Sequence, residues 1–179
     1  MSEQTKIGKT QALKPALIVI SMLLILIPVT SIGVDMFGWF NRVEVTLSSP
    51  VKGNLHDKGK PLSNVTITRE LIYGKEYIDT TVTDDEGNFY FPEKVIKSSK
   101  PNNMLDNDVL RQRLYILQDS EEVHLWLVRV ILGDANDLTL TKNLKNLKCD
   151  ISVEPQTFYV PIDSVKDSEY AIHSSCNIK

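Results

Sequence analysis

Histidine and cysteine are scarce, with three of the first and two of the second in 179 residues. His56, His124 and His173 are far apart, and none has a second ligand at a spacing such as H-x-x-x-H, which argues against a metal site. A G-x-S-x-G elbow, an H-E-x-x-H pair and a phosphate-cradling G-x-x-x-x-G-K are all missing. No pair of carboxylates can be placed in one cleft from the sequence. The expectation is therefore a protein that is not an enzyme and has neither catalytic residues nor a cofactor. Asp84, Asp85 and Glu86 gather three carboxylates, but the twelve-residue calcium loop is absent and acidic residues suit the first position of a turn.

A surplus of positive charge is also lacking. The chain carries 20 basic and 23 acidic residues, and without Lys6, Lys9, Lys14, Glu3 and Asp35 the remainder holds 17 against 21. A nucleic-acid binder needs a basic face to neutralise phosphates, so that class is disfavoured. The length suits one domain, or one domain with an anchor, and is too short for two full-sized cores.

Charge is absent altogether between Lys14 and Asp35, where Pro15 to Val34 is almost continuously apolar. About 19 such residues, rising ~1.5 Å each in a helix, are enough to cross a ~30 Å hydrocarbon layer. The three lysines on the N-terminal side hold that end in the cytoplasm by the positive-inside bias, and Trp39 and Phe40 fit the outer headgroup boundary. The organisation expected is a cytoplasmic basic tail at 1–14, a single transmembrane anchor at 15–38 and a domain at 39–179 on the periplasmic or extracellular side of the inner membrane. A cleaved signal peptide is the alternative, because the strongest apolar run is only ~12 residues and Val29-Thr-Ser31 suits a small-residue cleavage rule. A buried soluble helix is the third reading, weakened by the lack of any polar face.

After Arg42 the pattern changes to short alternating stretches punctuated by Gly, Pro, Asn and Asp, which predicts a mainly β domain. Val43–Leu47, Asn64–Tyr73, Tyr77–Thr83 and Asn88–Phe91 are the first predicted strands. Hairpin connections are expected at Gly59–Pro61, Tyr73–Lys75 and Asp84–Gly87. Lys97–Asp108 is polar and turn-rich, so it is expected to be a long loop and, with Asn102, Asn103, Asp106 and Asp108, a candidate binding segment. Its alternative is a solvated connection without a role. Val109–Leu117 and Val123–Leu132 then form a hairpin across Gln118–Glu121, with Trp126 as a core anchor, although Val123–Leu132 is short enough for a helix. Leu138–Leu147 reads as a loop or short helix, Lys148–Val153 as a strand and Phe158–Val160 as the last strand.

Two stretches carry a family likeness: Pro50-Val-Lys-Gly53 through Gly59-Lys-Pro61-Leu62-Ser-Asn-Val65-Thr-Ile67, and Thr83-Asp84-Asp-Glu-Gly87-Asn-Phe89-Tyr-Phe91. They resemble the carboxypeptidase regulatory-like family of transthyretin-like β-sandwich domains, with Asn64 standing where that family has a small residue. The resemblance covers about a quarter of the chain and implies a transthyretin-like or immunoglobulin-like β-sandwich, used as a non-catalytic accessory or binding module in exported proteins. By architecture alone the chain also resembles the small anchored immunity proteins that bacteria direct against exported toxins.

Cys149 and Cys176 both follow the apolar segment, and export implies an oxidising compartment, so a disulfide between them is expected, with two free buried thiols as the alternative. The leading functional expectation is a membrane-anchored module that binds a protein partner, either a toxin that it inhibits or a subunit of an envelope complex that it helps to assemble. Loops such as Asn102–Asp108, the turn Asp84–Glu86 or a sheet edge would provide the contact. Carbohydrate binding is a third reading, for which no exposed aromatic platform is evident.

Overall fold

Alternating apolar residues from Val45 onward each need a partner layer, and the chain supplies it as two facing sheets. The structure is a computed structural model that describes residues 42–102, 109–163 and 165–178. Among them no helix is long and apolar enough to cross a membrane. The predicted anchor at 15–38 lies outside the described residues, as do Asn103, Asp106 and Asp108.

The strands are β1 (Val43–Ser48), β2 (Val51–Asp57), β3 (Lys60–Pro61), β4 (Thr66–Tyr73), β5 (Lys75–Val82), β6 (Asn88–Phe91), β7 (Lys94–Ser98), β8 (Val109–Gln118), β9 (Glu121–Ile131), β10 (Leu147–Asp150), β11 (Gln156–Pro161) and β12 (Glu169–Ser174). Among the described residues one α-helix forms, α1 (Leu138–Leu144), capped by the Asp137 carboxylate, which accepts from the backbone N–H of Leu140. The mainly β expectation holds, and the sheets stack in a sandwich-like arrangement.

The first sheet is a six-stranded antiparallel one in the order β11-β12-β9-β8-β4-β5. The facing layer is two ribbons laid end to end. β1 pairs with β7, and β2 pairs with β6 on one side and with β10, in parallel, on the other. The break between the ribbons falls at Pro50 and Pro92, neither of which can donate a ladder hydrogen bond. Leu47, Val51, Leu55, Phe89 and Phe91 point from this layer toward Ile67, Leu71, Leu114, Trp126, Val128 and Ile172 of the six-stranded sheet, and all are buried.

A charge sits in the middle of that core. Arg69 is wholly buried on the inward face of β4, where its Nε and Nη2 donate to the two Asp79 oxygens at 2.8 and 2.7 Å. Its Nη1 donates to the Pro92 carbonyl at 2.8 Å and to Ser48 Oγ at 3.4 Å, and its guanidinium stacks 4.8 Å from the Phe91 ring. Pro92 lies where the ribbon has stopped pairing, which leaves its carbonyl available. Burial by itself would raise the Asp79 carboxyl, but the hydrogen bonds and charge of Arg69, helped by Lys94, hold it below the ordinary carboxylate range.

Several sequence-derived boundaries need correction. Phe158–Val160 is not the last strand, because β12 follows it and joins β11 to β9. β2 and β7 are full strands that alternation alone did not single out. Lys97 and Ser98 belong to β7, so the connection predicted at Lys97 starts later, in a 3₁₀ turn at Lys100–Asn102. The strand predicted at Lys148–Val153 stops at Asp150. The turns are also tighter: Lys58 and Gly59, both with positive φ, replace Gly59–Pro61, and Asp119 and Ser120 replace Gln118–Glu121. His56 lies within β2 and is half-buried. Val123–Leu132 is strand, not helix, through Ile131.

The hairpin signature at Gly87 has a double cause. Its φ is +77°, and a Cβ there would sit 2.5 Å from the Leu55 carbonyl oxygen, which belongs to the strand that β6 pairs with.

At the other end of the chain the expected disulfide is present, joining Cys149 of β10 to Cys176 just beyond β12. A bulge prepares it. Leu114 faces Trp126 and Tyr115 faces His124, so Leu125 is an extra residue in β9, and its carbonyl accepts from Ser174 Oγ at 2.7 Å and from the Ser175 N–H at 3.2 Å. From there the chain leaves the six-stranded sheet for β10, where the Asn177 N–H donates to the Lys148 carbonyl at 2.9 Å. The disulfide thus fastens one sheet to the other.

Two predictions follow from this packing. Replacing both cysteines by alanine should lower unfolding free energy by about 3–4 kcal/mol, since a loop spanning 27 positions is released in the unfolded chain; urea melts of the two proteins measure it. Asp79→Asn should cost about 3 kcal/mol at neutral pH, because the Arg69 charge stays buried without its counter-ion. The folded carboxyl is held below its unfolded value, so its contribution is complete above the unfolded pKa and fades as pH falls through the folded one. The difference between the two proteins should shrink over that acidic window, and a constant difference down to the acid transition would contradict the assignment.

Candidate functional site

The reverse face of the six-stranded sheet carries residues offset by one from the core positions. Cross-strand register places Ile78, Glu70, Arg113, Leu127, His173 and Thr157 in one row running from β5 to β11. Neighbouring rows hold Ile72, Arg111 and Arg129 on one side, and Thr68, Tyr115 and His124 on the other. Most of these residues are exposed or half-buried, so this face is open among the described residues.

Glu70 is the exception, buried at 3% exposure under two arginines of β8. Its Oε1 accepts from Arg111 Nη2 at 2.9 Å, and its Oε2 accepts from Arg113 Nη2. Arg113 also donates through Nη1 to Glu122 Oε2 at 2.6 Å and lies 4.4 Å over the Tyr115 ring. Burial would raise the Glu70 carboxyl, and the Arg113 and Arg111 hydrogen bonds and charges override it, leaving it below its usual value. Burial likewise opposes the Arg113 charge, and Glu70, then Glu122, reverse that and push its pKa up.

This network leaves donors over. The Nε atoms of Arg111 and Arg113 and the Nδ1 atom of His124 are buried without a hydrogen-bond partner among the described residues. Fixed guanidinium groups beside a tyrosine, with polar atoms still to be satisfied, are the composition of a protein contact surface. Leu117 and Ile131 lie on the same face, at 64% and 61% exposure, and offer apolar contact at its two ends.

The residues singled out from the sequence lie elsewhere. Asp84 folds its own turn, where its Oδ1 accepts from the N–H groups of Glu86 and Asn88 at 3.0 and 2.8 Å, and its Oδ2 accepts from Asn88 Nδ2 at 3.0 Å. Those bonds, Asn88 foremost, lower its pKa. The Glu86 carboxylate accepts from Asn88 Nδ2 at 3.2 Å, while Asp85 is exposed with no side-chain partner among the described residues. The backbone of Asn102 is in the 3₁₀ turn beside the start of β5, whereas Asp84–Glu86 lies past the end of β5. Eight residues of strand separate those ends, roughly 25 Å, so Asn102 does not lie beside the Asp84–Glu86 turn.

Metal chemistry finds no foothold in the described residues, which contain no group of three or more His, Cys, Asp or Glu able to hold an ion. Three acidic residues serve architecture. Asp150 accepts from Ser152 Oγ at 2.6 Å and from the N–H groups of Gly59, Ser152 and Lys58, which pushes its carboxyl down to about 2 and fixes the turn after β2. Asp163 accepts from the Thr139 N–H, and Asp137 accepts from the Asp163 N–H, both at 2.8 Å, locking α1 to the segment after β11.

Over residues 51–154 the chain matches a family described as Domain of unknown function (DUF6795). The chain belongs to this family. The DUF6795 match includes Glu70, Arg111, Arg113, Tyr115 and Glu122, and it takes in Cys149 but not Cys176. No curated protein and no solved structure matches the chain.

Sequence reading missed the arginine face, yet a signal was present: Arg111 and Arg113 alternate with Leu110, Gln112 and Leu114, so both arginines had to share the face opposite the core. Glu70→Gln should destabilise the protein by about 1–3 kcal/mol at neutral pH, because two charge-assisted hydrogen bonds are weakened. The native advantage is present above the unfolded carboxylate pKa and disappears as pH drops through the lowered folded value. Thermal melts of the two proteins across pH 3–7 check it, and equal stability at neutral pH would remove the network from the account.

Proposed function

We propose that the protein is a non-enzymatic binding module, anchored in the inner membrane by residues 15–38, that presents its sandwich to a protein partner in the periplasm. The observation that carries this reading is the open sheet face built on Glu70, Arg111, Arg113 and Tyr115, with buried guanidinium donors still unpaired. A partner that supplies carboxylates or carbonyls to the accessible parts of the Arg111 and Arg113 side chains meets groups already fixed in place by Glu70, so little ordering entropy is spent on contact. The likeness of residues 50–92 to the carboxypeptidase regulatory-like domains supports the transthyretin-like form of the sandwich, and the Cys149–Cys176 bond suits an oxidising compartment.

Within this reading the partner is an exported toxin, and the protein is its inhibitor in the producing cell. Assembly of an envelope complex is the alternative, in which the N-terminal segment itself makes the contact. Carbohydrate binding is the third reading, and Trp126, expected as a core anchor, is entirely buried and offers it no ring.

The test is capture of partners by full-length protein from crosslinked membranes of its own source. One exported protein should be retained in near-equal amount, and at least tenfold less should be retained by a Leu117→Asp/Arg129→Glu variant, which changes two exposed residues of the face. Retention of envelope subunits that is unaffected by that variant but lost when residues 1–38 are exchanged for a cleavable signal would establish the assembly role instead. Recovery of no protein at all would reject binding.

A further inference from the structure

The six-stranded sheet ends in two edges of different character. β5 forms one of them and carries Lys75, Glu76 and Asp79, three charged residues in eight, which is the usual guard against strand addition. β11 forms the other with Gln156-Thr-Phe-Tyr-Val-Pro161, which holds no charge and keeps an unbroken register with β12 over its whole length. No strand pairs on its outer side among the described residues. An uncharged, regular edge is a template for a further strand.

Two hydrogen bonds fix which backbone groups this edge offers. The Ile162 N–H donates to the Ser168 carbonyl at 3.0 Å, in step with the β11–β12 ladder, and the Ser175 N–H donates to the Leu125 carbonyl at 3.2 Å, in step with the β12–β9 ladder. Alternation from those points turns the N–H and C=O groups of Gln156, Phe158 and Val160 toward β12 and those of Thr157 and Tyr159 outward. Pro155 and Pro161 fall on the outward side as well, and neither has an N–H. They stand at equal distances before and after Phe158, so the edge is a short segment, closed at both ends and symmetric about that residue. Phe158 itself is half-buried, on the same side as Val160 and Ile172, where the sheet faces the core.

We infer that β11 pairs with β11 of a second copy of this chain, antiparallel and centred on Phe158, to make one continuous sheet through two molecules. The occupant follows from the symmetry of the edge. A second β11 overlaps the segment over its whole length, so that Thr157 meets Tyr159 of the other copy in two complete pairs of hydrogen bonds and each Pro155 meets a Pro161. Each Phe158 covers the exposed part of the other, and with no charge on the strand the two copies meet without repulsion. This goes beyond the proposed binding of a partner and does not depend on it. Opposed residues of an antiparallel pair share a face, so the open faces of both copies lie on one side of the joined sheet. Glu70, Arg111 and Arg113 are three to four strands in from the edge, about 14–19 Å at ~4.8 Å per strand, and stay uncovered.

Both native cysteines are joined in the disulfide, so Phe158→Cys in the full-length protein supplies a single free thiol. Opposed residues of a non-hydrogen-bonded pair stand about 4.5 Å apart at Cα, within disulfide reach. In detergent under mild oxidation this protein should become a covalent dimer, with at least about tenfold less from Leu117→Cys, an exposed position on β8 three strands from the edge. Adding Thr157→Lys/Tyr159→Lys sets lysine against lysine across the axis at two exposed positions and should cut the Phe158→Cys yield at least about fivefold. Mixing that protein with a Phe158→Cys form carrying Thr157→Glu/Tyr159→Glu should restore it. Sedimentation of the native chain, with micelles in excess, needs no change at Phe158 and should show a concentration-dependent dimer that the lysine pair abolishes. A monomer at every concentration, a dimer indifferent to the lysine pair, or equal yields from the two thiols would overturn the inference. So would a Phe158→Cys disulfide to some other protein in membranes of its own source, which would give the edge to a foreign strand.

Discussion

A buried arginine organises this molecule. Arg69 carries a full charge into the layer between the sheets, and a charge can remain there only if every side of it is answered. Asp79 answers from the neighbouring strand, Ser48 and Pro92 answer from the facing layer, and Phe91 closes the remaining side. These partners come from three strands or their ends, β1, β5 and β6, so the constraint on one side chain fixes the position of both layers. The prolines that divide the facing layer are part of the same arrangement, because an unbroken β6–β7 ribbon would use the Pro92 carbonyl in its own ladder. Ser48 is shared further, as it also accepts from Gln112 Nε2 at 2.6 Å, which ties β8 to the group.

The C-terminal region solves a different problem. A six-stranded sheet ending in β12 and β11 has little apolar surface of its own, and β12 is joined to β9 by only three registered residues. The Leu125 bulge, the crossing at Ser174 and Ser175 and the disulfide at Cys149 and Cys176 hold this edge by polar and covalent means. The same crossing bridges the two layers on the side away from Arg69, so the sandwich is fastened on both sides by interactions other than apolar contact.

With the core secured in this way, two surfaces differ in chemistry and in position. The sheet face offers arginine, tyrosine and exposed aliphatic groups, the mixture that suits a protein contact, whereas the β11 edge offers the backbone groups of an uncharged strand. Their separation follows from strand geometry, since side chains leave a sheet through its faces and backbone groups through its edges.

Much of this was legible along the chain. Period-two alternation located β1, β4, β5, β6, β8 and β9, and two cysteines after a long apolar segment pointed to their bond. Strand β2 escaped because Lys52, Gly53, Asn54 and His56 hide its alternation, while pairing on both of its edges makes it a strand regardless. Strand β12 carried a readable pattern in Tyr170, Ile172 and Ser174, obscured by the polar residues around it. The acidic turn was readable as a turn, and so it proved at Asp84. The sequence by itself determined the class of fold, the acidic turn at Asp84 and the disulfide, because each is a local or pairwise property of residue type and spacing. Only the tertiary structure decided that Arg69 belongs inside and that Glu70 gathers Arg111 and Arg113. Those meetings join residues far apart in the chain, and no local period encodes which strands become neighbours.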